Sequence, residues 1–244
     1  MRIARIHTNH GPRPVVHDDD RWREIADPFA DEVIFTGPEY PVEFVRFLAP
    51  VQPTVVLGMA HNGSPAERAR PPQAFMKSAR TVINPGDHIV LEDHVGVVHI
   101  ETELAVVIGR RCRNLTAADV PDVILGYTVG NDVTAVEQVE LDDKMTQAKN
   151  GDGFTPLGPW IDTDIDPSNL QMTVHVNGDH ITASNTDQLA YTITEQLVYL
   201  TSYMSLGPGD IVLTGCPGTY APVKPGDIST VSIDGIGILS NPVR

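Results

Sequence analysis

The pattern of apolar and polar positions predicts a chain built mainly from strands. Short apolar or alternating runs, bounded by Gly, Pro, Asn and Asp, recur along most of the sequence. Such runs occur at 1–6, around Ile83, and at 88–91, 97–109, 123–133, 172–181, 210–215 and 228–233. Within 172–181, Asn177 and Gly178 are typical of the two central residues of a hairpin turn. The pattern therefore indicates a β-rich protein with few helices.

Helical spacing occurs in few places. The clearest helix is predicted after residue 185, with possible caps at Asn185, Thr186 and Asp187 and apolar positions at Leu189, Ile193, Leu197, Leu200 and Met204. Poorer periodicity predicts a second helix within 136–148, and residues 40–48 predict a short one. Residues 10–25 are expected to form a turn and an exposed continuation. We expect a small N-terminal region, 1–52, followed by a larger domain, 53–244.

Turn signals separate these elements. Pro-Gly-Asp occurs at 85–87, 208–210 and 225–227, where Pro and Gly suit the two central positions of a type II turn. Each copy is expected to precede a strand. The stretch 58–75 is rich in turn residues, and its adjacent prolines, Pro71 and Pro72, favour extended backbone.

Composition narrows the possible partners. The formal net charge of −15 argues against nucleic acid, which is bound through clustered Lys and Arg. No segment has the roughly 20 apolar residues needed to span a bilayer, so no membrane partner is expected. Cys112 and Cys216 form no CxxC pattern and are interpreted as reduced thiols of a cytoplasmic protein.

Two acidic residues at the start of a strand raise a chemical question. Glu101 and Glu103 are two positions apart, so both side chains point to the same face of the 97–109 strand. Asp132 follows the next strand. Three carboxylates at the ends of adjacent strands would form an oxygen-rich site for Mg²⁺, Mn²⁺ or Ca²⁺, whose charge would offset their repulsion. The alternative is a pair of solvated glutamates at a strand edge.

Four motifs in order extend this picture. The segments ETELAVVIG, GYTVGNDVTA, AKNGDGFTPLGPWI and LGPGDIVLTGCPG resemble the fumarylacetoacetate hydrolase superfamily over roughly residues 55–240. The resemblance implies a β-rich α+β fold, a mixed β-sandwich or roll of the C-terminal type found in that family, as a homodimer. It also implies that Glu101, Glu103 and Asp132 hold Mg²⁺ or Mn²⁺ and that Lys149 lies by the metal and helps to bind substrate.

The resemblance implies a small 2-oxo acid as substrate. A metal held by three carboxylates would stabilise the enolate that forms when a bond to C3 breaks. Isomerisation or decarboxylation of a 2-hydroxy-diene-dioate or oxo-dioate, in the breakdown of aromatic compounds, is the function we expect. Hydrolysis of an acylpyruvate or fumarylpyruvate C–C bond is the first alternative. A catalytically inactive metal- or ligand-binding relative is the second.

The segment GMAHNGSPAE departs from the family's lid motif. Glu67 fills the acid position of the water-activating dyad, but Ser64 stands in place of its histidine. His61 is close enough in sequence to substitute for it, or it is a loop histidine bonded to a nearby carbonyl. Without an imidazole, activation of water is harder, which favours decarboxylation or isomerisation over hydrolysis.

Substrate-binding positions also differ from the family pattern. Val136 replaces an arginine that contacts substrate in relatives, and Cys216 stands where relatives place a substrate-binding threonine. Arg68, Arg70 and Lys77 are candidates for the missing positive charge, although surface exposure is the ordinary state of an arginine. We expect Cys216 to be a packing residue of the pocket wall and not a nucleophile.

His99 shares the face of Glu101. It is expected to support the metal ligands, and the alternative is a direct ligand in a zinc hydrolase.

Overall fold

The structure is a computed structural model that describes residues 1–244. It contains eighteen strands and four short α-helices, together with several 3-10 turns. The strands are β1 (Arg2–Thr8), β2 (Gly11–Asp18), β3 (Arg21–Ile25), β4 (Phe35–Pro41), β5 (Arg46–Leu48), β6 (Val56–Ala60), β7 (Gln73–Lys77), β8 (Val82–Ile83), β9 (Val98–Ile108), β10 (Ile124–Asn131), β11 (Thr134–Ala135), β12 (Thr155–Asp162), β13 (Gln171–Val176), β14 (Asp179–Asn185), β15 (Ile211–Leu213), β16 (Tyr220–Val223), β17 (Ile228–Ile233) and β18 (Gly237–Pro242). The helices are α1 (Val120–Val123), α2 (Val136–Leu141), α3 (Thr146–Lys149) and α4 (Ile193–Tyr203).

Two sheets form the body of the molecule. The larger has fourteen strands with the main order β4-β3-β2-β1-β12-β10-β9-β15-β6-β7, and the smaller has the order β14-β13-β17-β18. β15 pairs with β6 in parallel and β12 with β8 in parallel, while the other pairs within the sheets are antiparallel, so the large sheet is mixed. The predicted β-rich α+β fold, a mixed sandwich or roll, is confirmed.

Strand β9 lies at the centre of the architecture. Ile100, Leu104 and Val106 point from one face into the largest core cluster, which also holds residues of the small sheet. Ala105 and Val107 point from the other face into a second cluster. This alternation is the period-two pattern that was predicted, and it places two faces of one strand in two separate cores.

Several local predictions are confirmed. Asn177 and Gly178 have φ values of +56° and +88° and join β13 to β14 as a tight hairpin. In all three Pro-Gly-Asp turns the glycine has positive φ and the Asp amide donates to the carbonyl three residues earlier. Two of these turns lead into β15 and β17, whereas the first leads only to an isolated bridge at Ile89.

The N-terminal region was predicted less well. The short helix expected at 40–48 is wrong: β4 ends at Pro41, a 3-10 turn covers Val42–Phe44, and Arg46–Leu48 pairs with β1. Pairing with another strand outweighs the weak local helical pattern. The exposed continuation at 10–25 is also wrong, because this segment forms β2 and β3 and buries Val15 and Trp22.

Helix boundaries differ from those expected around residue 185. Thr186–Gln188 is a 3-10 turn, and α4 begins at Ile193 with Thr192 as its cap. Thr192 accepts from the amide of Glu195, while the Glu195 carboxylate accepts from the amide of Thr192, a capping box that fixes the start of the helix. The second predicted helix, within 136–148, is divided into α2 and α3.

None of the helices combines the length and apolar character that crossing a bilayer requires.

Candidate active site

The three predicted acids lie together where the middle of β9 runs beside the end of β10. Glu101 and Glu103 share a face of β9, and Asp132 directly follows β10, the antiparallel neighbour of β9. One oxygen from each carboxylate lies within 4.8 Å of the others. The Asp132 amide donates to the carbonyl of Glu101, and the Asn131 side chain accepts from the Glu101 amide, so the backbone holds the two strands in this register.

Two buried lysines hold Asp132 from opposite carboxylate oxygens. Lys77 Nζ contacts Asp132 Oδ1 and also donates to the carbonyl of Val133. Lys149 Nζ lies 2.5 Å from Asp132 Oδ2, 2.6 Å from Thr134 Oγ1 and 3.4 Å from Glu101 Oε2. Burial alone would raise the pKa of Asp132, but the ammonium groups of Lys149 and Lys77 outweigh burial and hold it below its ordinary value. The two lysines therefore favour the ionised form of Asp132.

Glu103 has a different environment. It is 2% exposed, and its Oε2 accepts a hydrogen bond of 2.7 Å from the Gly215 amide. Burial, followed by repulsion from Asp132 and Glu101, raises its pKa well above the ordinary value. Burial also raises the pKa of Glu101, against the attraction of Lys149. The site therefore holds more negative charge than its own lysines offset.

These carboxylates fit a divalent cation. Three carboxylate oxygens that converge from two neighbouring strands are hard ligands of the kind that Mg²⁺ and Mn²⁺ prefer. The raised pKa of Glu103 marks negative charge that a cation would stabilise. The three acids are thus able to hold a divalent metal.

A cavity of about 430 Å³ opens above the acids. Glu101, Glu103, Asp132 and Lys149 contribute to its lining. The end of β6 and the segment that follows it form another part of the wall, with Met59, Ala60, His61, Asn62, Gly63 and Glu67. The segment from α2 to α3 and the start of β16 contribute Val136, Val139, Glu140, Met145 and Tyr220, and the remaining lining residues are Phe75, Thr134 and Cys216.

His61 and Glu67 meet on the loop after β6. Glu67 Oε2 accepts from the amides of Gly63, at 2.6 Å, and Ser64, at 3.2 Å. Glu67 Oε1 lies 3.7 Å from His61 Nδ1. Ser64, which occupies the position of the family histidine, precedes the 3-10 turn Pro65–Ala69 and is absent from the cavity lining. The structure therefore brings His61 and Glu67 together at the cavity.

The loop that carries His61 packs directly on the loop whose Gly215 amide binds the Glu103 carboxylate. Asn62, which is buried, donates to the carbonyl of Thr214 at 2.6 Å and accepts from the amide of Tyr191. A Cβ on Gly63 would lie 2.5 Å from the carbonyl oxygen of Cys216, and one on Gly215 would lie 2.7 Å from that of Asn62. Only glycine allows this approach, which links the His61 loop to the amide that binds Glu103.

The predicted substrate-binding cations are distributed differently. Lys77 is buried beside Asp132 and does not line the cavity. Arg68 pairs with Glu195 and donates to the carbonyl of Ala190, also outside the lining. Arg70 Nη1 lies 3.3 Å from His61 Nδ1, so Arg70 contacts one of the two predicted lid residues.

Cys216 and His99 lie near the three acids without belonging to the acid cluster. Cys216 lines the cavity, and burial together with Glu101 and Glu103 raises the pKa of its thiol well above the ordinary value, which disfavours a thiolate nucleophile. His99 is outside the acid cluster and stacks on Tyr220, with ring centroids 5.3 Å apart. Tyr220 in turn pairs with Glu101 across β16 and β9.

Sequence reasoning missed the groups that complete the site. Thr134, Asn62, Tyr220, the Gly215 amide and the α2–α3 wall all require the fold to be known. Of these residues only Thr134 is close in sequence to a predicted site residue, two positions after Asp132.

Comparison with known proteins shows the family of the chain. Residues 44–244 match the fumarylacetoacetate (FAA) hydrolase C-terminal family, and residues 1–50 match the Rv2993c-like N-terminal family. The chain belongs to the fumarylacetoacetate hydrolase family. Protein Rv2993c of Mycobacterium tuberculosis is 41% identical over 260 residues, which span 100% of this chain and 98% of that protein.

Other relatives have names that state an activity. The mitochondrial oxaloacetate tautomerase fahd2 of Xenopus laevis is 34% identical over 82% of this chain and 68% of its own length. The structure of 2-hydroxyhepta-2,4-diene-1,7-dioate isomerase from Mycobacterium marinum has 38% identity and a TM-score of 0.92, and covers 100% of this chain and 98% of that one. Maleylpyruvate hydrolase from Sphingobium sp. SYK-6, in complex with manganese(II) ion and pyruvate, has 28% identity and a TM-score of 0.81, with coverage of 100% and 98%.

These relatives place the chain among the enzymes of the fumarylacetoacetate hydrolase superfamily, whose compared members are named as isomerases, hydrolases and tautomerases.

Proposed function

We propose that the protein is a Mg²⁺- or Mn²⁺-dependent enzyme that acts on a small 2-oxo acid, with enol–keto isomerisation as its leading reaction and decarboxylation as the closest variant. The observation that carries this proposal is the convergence of Glu101, Glu103 and Asp132 in a cavity that also contains the His61–Glu67 pair. The family resemblance supports the three acids as metal ligands, whereas the His61–Glu67 pair departs from the family's lid motif.

The acids and lysines have separate roles in this proposal. Glu101, Glu103 and Asp132 would hold the ion, which supplies Lewis-acid stabilisation of negative charge on the oxygen atoms of a 2-oxo acid. Lys149 lines the cavity and would orient the anionic end of the substrate. Lys77 lies beside Asp132 and outside the lining, so it would hold that carboxylate in place and not contact substrate.

Isomerisation requires a group that moves a proton. One proton leaves the substrate and another returns at a different atom, with no net gain or loss. Glu67 has one carboxylate oxygen fixed by two backbone amides and the other directed toward His61. Together these two side chains would carry the proton between the substrate atoms.

A second candidate function is hydrolysis of an acylpyruvate-type C–C bond. The observation in its favour is that His61 lines the cavity beside Glu67, even though Ser64 stands at the family histidine position. An imidazole paired with a carboxylate is able to activate water. The named activity of the maleylpyruvate hydrolase relative supports the same possibility.

Product analysis separates these reactions. The protein would be incubated with oxaloacetate and with acetylpyruvate, each with Mg²⁺, with Mn²⁺ and with EDTA. Metal-dependent enol–keto conversion supports isomerisation, pyruvate with CO₂ indicates decarboxylation, and pyruvate with acetate indicates hydrolysis. No metal-dependent conversion of either compound would contradict the proposal.

We also propose a cytoplasmic homodimer. The family resemblance supports the dimer, and Cys112 and Cys216, which are both free thiols, support a reducing compartment. Sedimentation of the purified protein as a monomer at micromolar concentration would contradict the proposed dimer.

A further inference from the structure

Asn62 is a buried amide side chain to which the proposed reaction gives no role. It is 2% exposed, and the two ends of its side chain have different partners. Nδ2 donates to the carbonyl of Thr214 at 2.6 Å, and Oδ1 accepts from the amide of Tyr191 at 2.7 Å. Because a carbonyl needs a donor and an amide needs an acceptor, these partners allow one orientation of the Asn62 side chain.

The Thr214 carbonyl and the Gly215 amide belong to the same peptide group. Its carbonyl accepts from Asn62, and its N–H donates to Glu103 Oε2 at 2.7 Å. In a trans peptide the C=O and N–H bonds point in opposite directions, so the orientation of one determines that of the other. Asn62 and Glu103 therefore hold this peptide group from its two sides.

The Thr214–Gly215 peptide group needs such support, because glycine allows it to rotate. Gly215 has a φ of +114°, and a residue without a Cβ moves between backbone regions at low cost. Rotation would turn the Thr214 carbonyl toward Glu103 and bring two electron-rich oxygens together. It would also leave the buried Nδ2 of Asn62 without its acceptor, so the Asn62 hydrogen bond opposes the rotation.

We propose that Asn62 is a positioning residue for the metal site: it orients the Thr214–Gly215 peptide group so that an N–H, and not a carbonyl oxygen, faces Glu103. Hydrogen bonds of this kind orient the carboxylates that bind a metal and raise its affinity. The effect on the metal rests on the proposed function, in which Glu103 is a ligand. The orientation of the peptide group does not.

Loss of the Asn62 donor should weaken metal binding. Asn62→Leu keeps nearly the same shape but has no polar side-chain atom, so the Thr214 carbonyl loses its short hydrogen bond. Removing a group that orients a metal ligand typically lowers metal affinity about 10- to 100-fold, and we expect a loss in this range for Mn²⁺ in a calorimetric titration. Asn62→Ala, which adds no bulk, is a second variant with the same expected loss.

Gln196 on α4 supplies a matched control from the same buried cluster. Its side chain is fully buried, and its Nε2 donates to the carbonyl of Tyr191 at 2.8 Å but lies 3.4 Å from that of Thr214. Gln196→Met removes a buried amide of similar size and leaves the short bond from Asn62 in place. We expect Mn²⁺ affinity to change by less than about 3-fold, because Asn62 still orients the peptide group.

Hydrogen exchange of the full chain in EDTA tests the orientation itself. The Thr214 and Gly215 amides are neighbours with different partners, since the first donates to the carbonyl of Leu104 and the second to Glu103. In Asn62→Leu we expect the Gly215 amide to exchange at least about 10-fold faster and the Thr214 amide less than about 3-fold faster, because only one peptide group is released. A general loosening of the loop would accelerate both amides alike.

The outcomes separate this inference from the proposed function. Unchanged exchange at Gly215, or equal losses of Mn²⁺ affinity in Asn62→Leu and Gln196→Met, would overturn the inference and leave the proposed function standing. If the wild-type protein binds no Mn²⁺, the proposed function fails together with the effect on the metal. The exchange rates then still decide whether Asn62 orients the Gly215 amide.

Discussion

Among single residues, Glu103 is a buried carboxylate with no lysine partner, in contrast to Asp132, which has two. Its one hydrogen-bond donor is the Gly215 amide. Burying a charge without a counterion is unfavourable, so the folded protein tolerates Glu103 only by raising its pKa or by acquiring a cation. The second explanation gives the residue a function.

Glu103→Gln tests this explanation. Glutamine keeps an oxygen for the Gly215 amide but removes the charge, so we expect Mn²⁺ affinity to fall at least about 100-fold. The metal-free variant should unfold at a temperature no lower than wild type, because an unfavourable charge is lost. Calorimetric titration with Mn²⁺ and thermal unfolding in EDTA check both parts. Unchanged Mn²⁺ affinity would exclude Glu103 as a ligand.

Lys77→Met should destabilise the protein. The Lys77 side chain has no exposed surface, and removing it leaves Asp132 with one ammonium partner in place of two. Breaking a buried ion pair costs about 3–5 kcal/mol, and the remaining Lys149 contact places the expected loss near the lower end. Urea unfolding would measure it, with Lys224→Met on the exposed surface as control. A loss equal to that of the control would contradict the structural role of Lys77.

The grouping of Glu101, Glu103 and Asp132 could be predicted from the sequence, but the contacts that hold these residues in place could not. Glu101 and Glu103 share a face because strand periodicity is local, and Asp132 lies beside them because β9 and β10 pair in antiparallel register. Asn62 and the Gly215 amide meet only through tertiary packing, across more than 150 positions of the chain. No local pattern encodes such a contact.

At the scale of elements, the segment after β6 is anchored to the start of α4. Arg68 pairs with the Glu195 carboxylate, which also belongs to the capping box of α4. Arg68 also contacts the face of the Tyr191 ring at 5.0 Å, and the Tyr191 hydroxyl contacts the carbonyl of Arg70. These contacts give Arg68 a structural role near the His61 loop.

The pH dependence of stability should report this anchor. The hydrogen bond from Arg68 lowers the pKa of Glu195 to about 2. Because the folded pKa lies below the ordinary value of about 4.3, the contribution to stability is complete above that pH and is lost as the pH falls toward 2. We expect Glu195→Gln to lower the unfolding temperature at pH 6 and the difference from wild type to shrink below pH 4. A difference independent of pH would contradict this assignment.

Long elements with strong periodicity were predicted, whereas several short ones, such as β5 and β7, were not. β9 and β10 were recognised because they carry long apolar runs, whereas β7 lies in a stretch interpreted as turn-rich. β7 forms because it pairs with β6 along its whole length. The start of α4 was placed too early, because Asn185 and Thr186 have the chemistry of caps but lead into a 3-10 turn.

At the scale of the whole molecule, the N-terminal strands and the rest of the chain share a sheet and a core. β1 pairs with β12, and Ile3, Val16 and Ile25 belong to the same buried cluster as Ala105 and Val107 of β9. The two matched families meet near residue 50, where the sequence was divided into 1–52 and 53–244. The sheet itself continues across that boundary.

Unfolding should therefore be a single transition. Trp22 and Trp160 lie on the two sides of the division, with ring centroids 6.0 Å apart. Fluorescence of Trp22→Phe and Trp160→Phe variants in urea isolates each tryptophan, and circular dichroism reports the whole chain. Within each variant we expect the fluorescence and dichroism transitions to coincide. Fluorescence transitions that separate from the dichroism curve would show that residues 1–52 unfold independently.

The claim on which the functional account depends is that one divalent ion binds among Glu101, Glu103 and Asp132. The most direct test is an anomalous-difference map from crystals soaked with Mn²⁺ and pyruvate. The account predicts one strong peak with a carboxylate oxygen of all three residues and two oxygens of pyruvate as ligands. A map with no peak among these acids, at a Mn²⁺ concentration that saturates a relative, would contradict it.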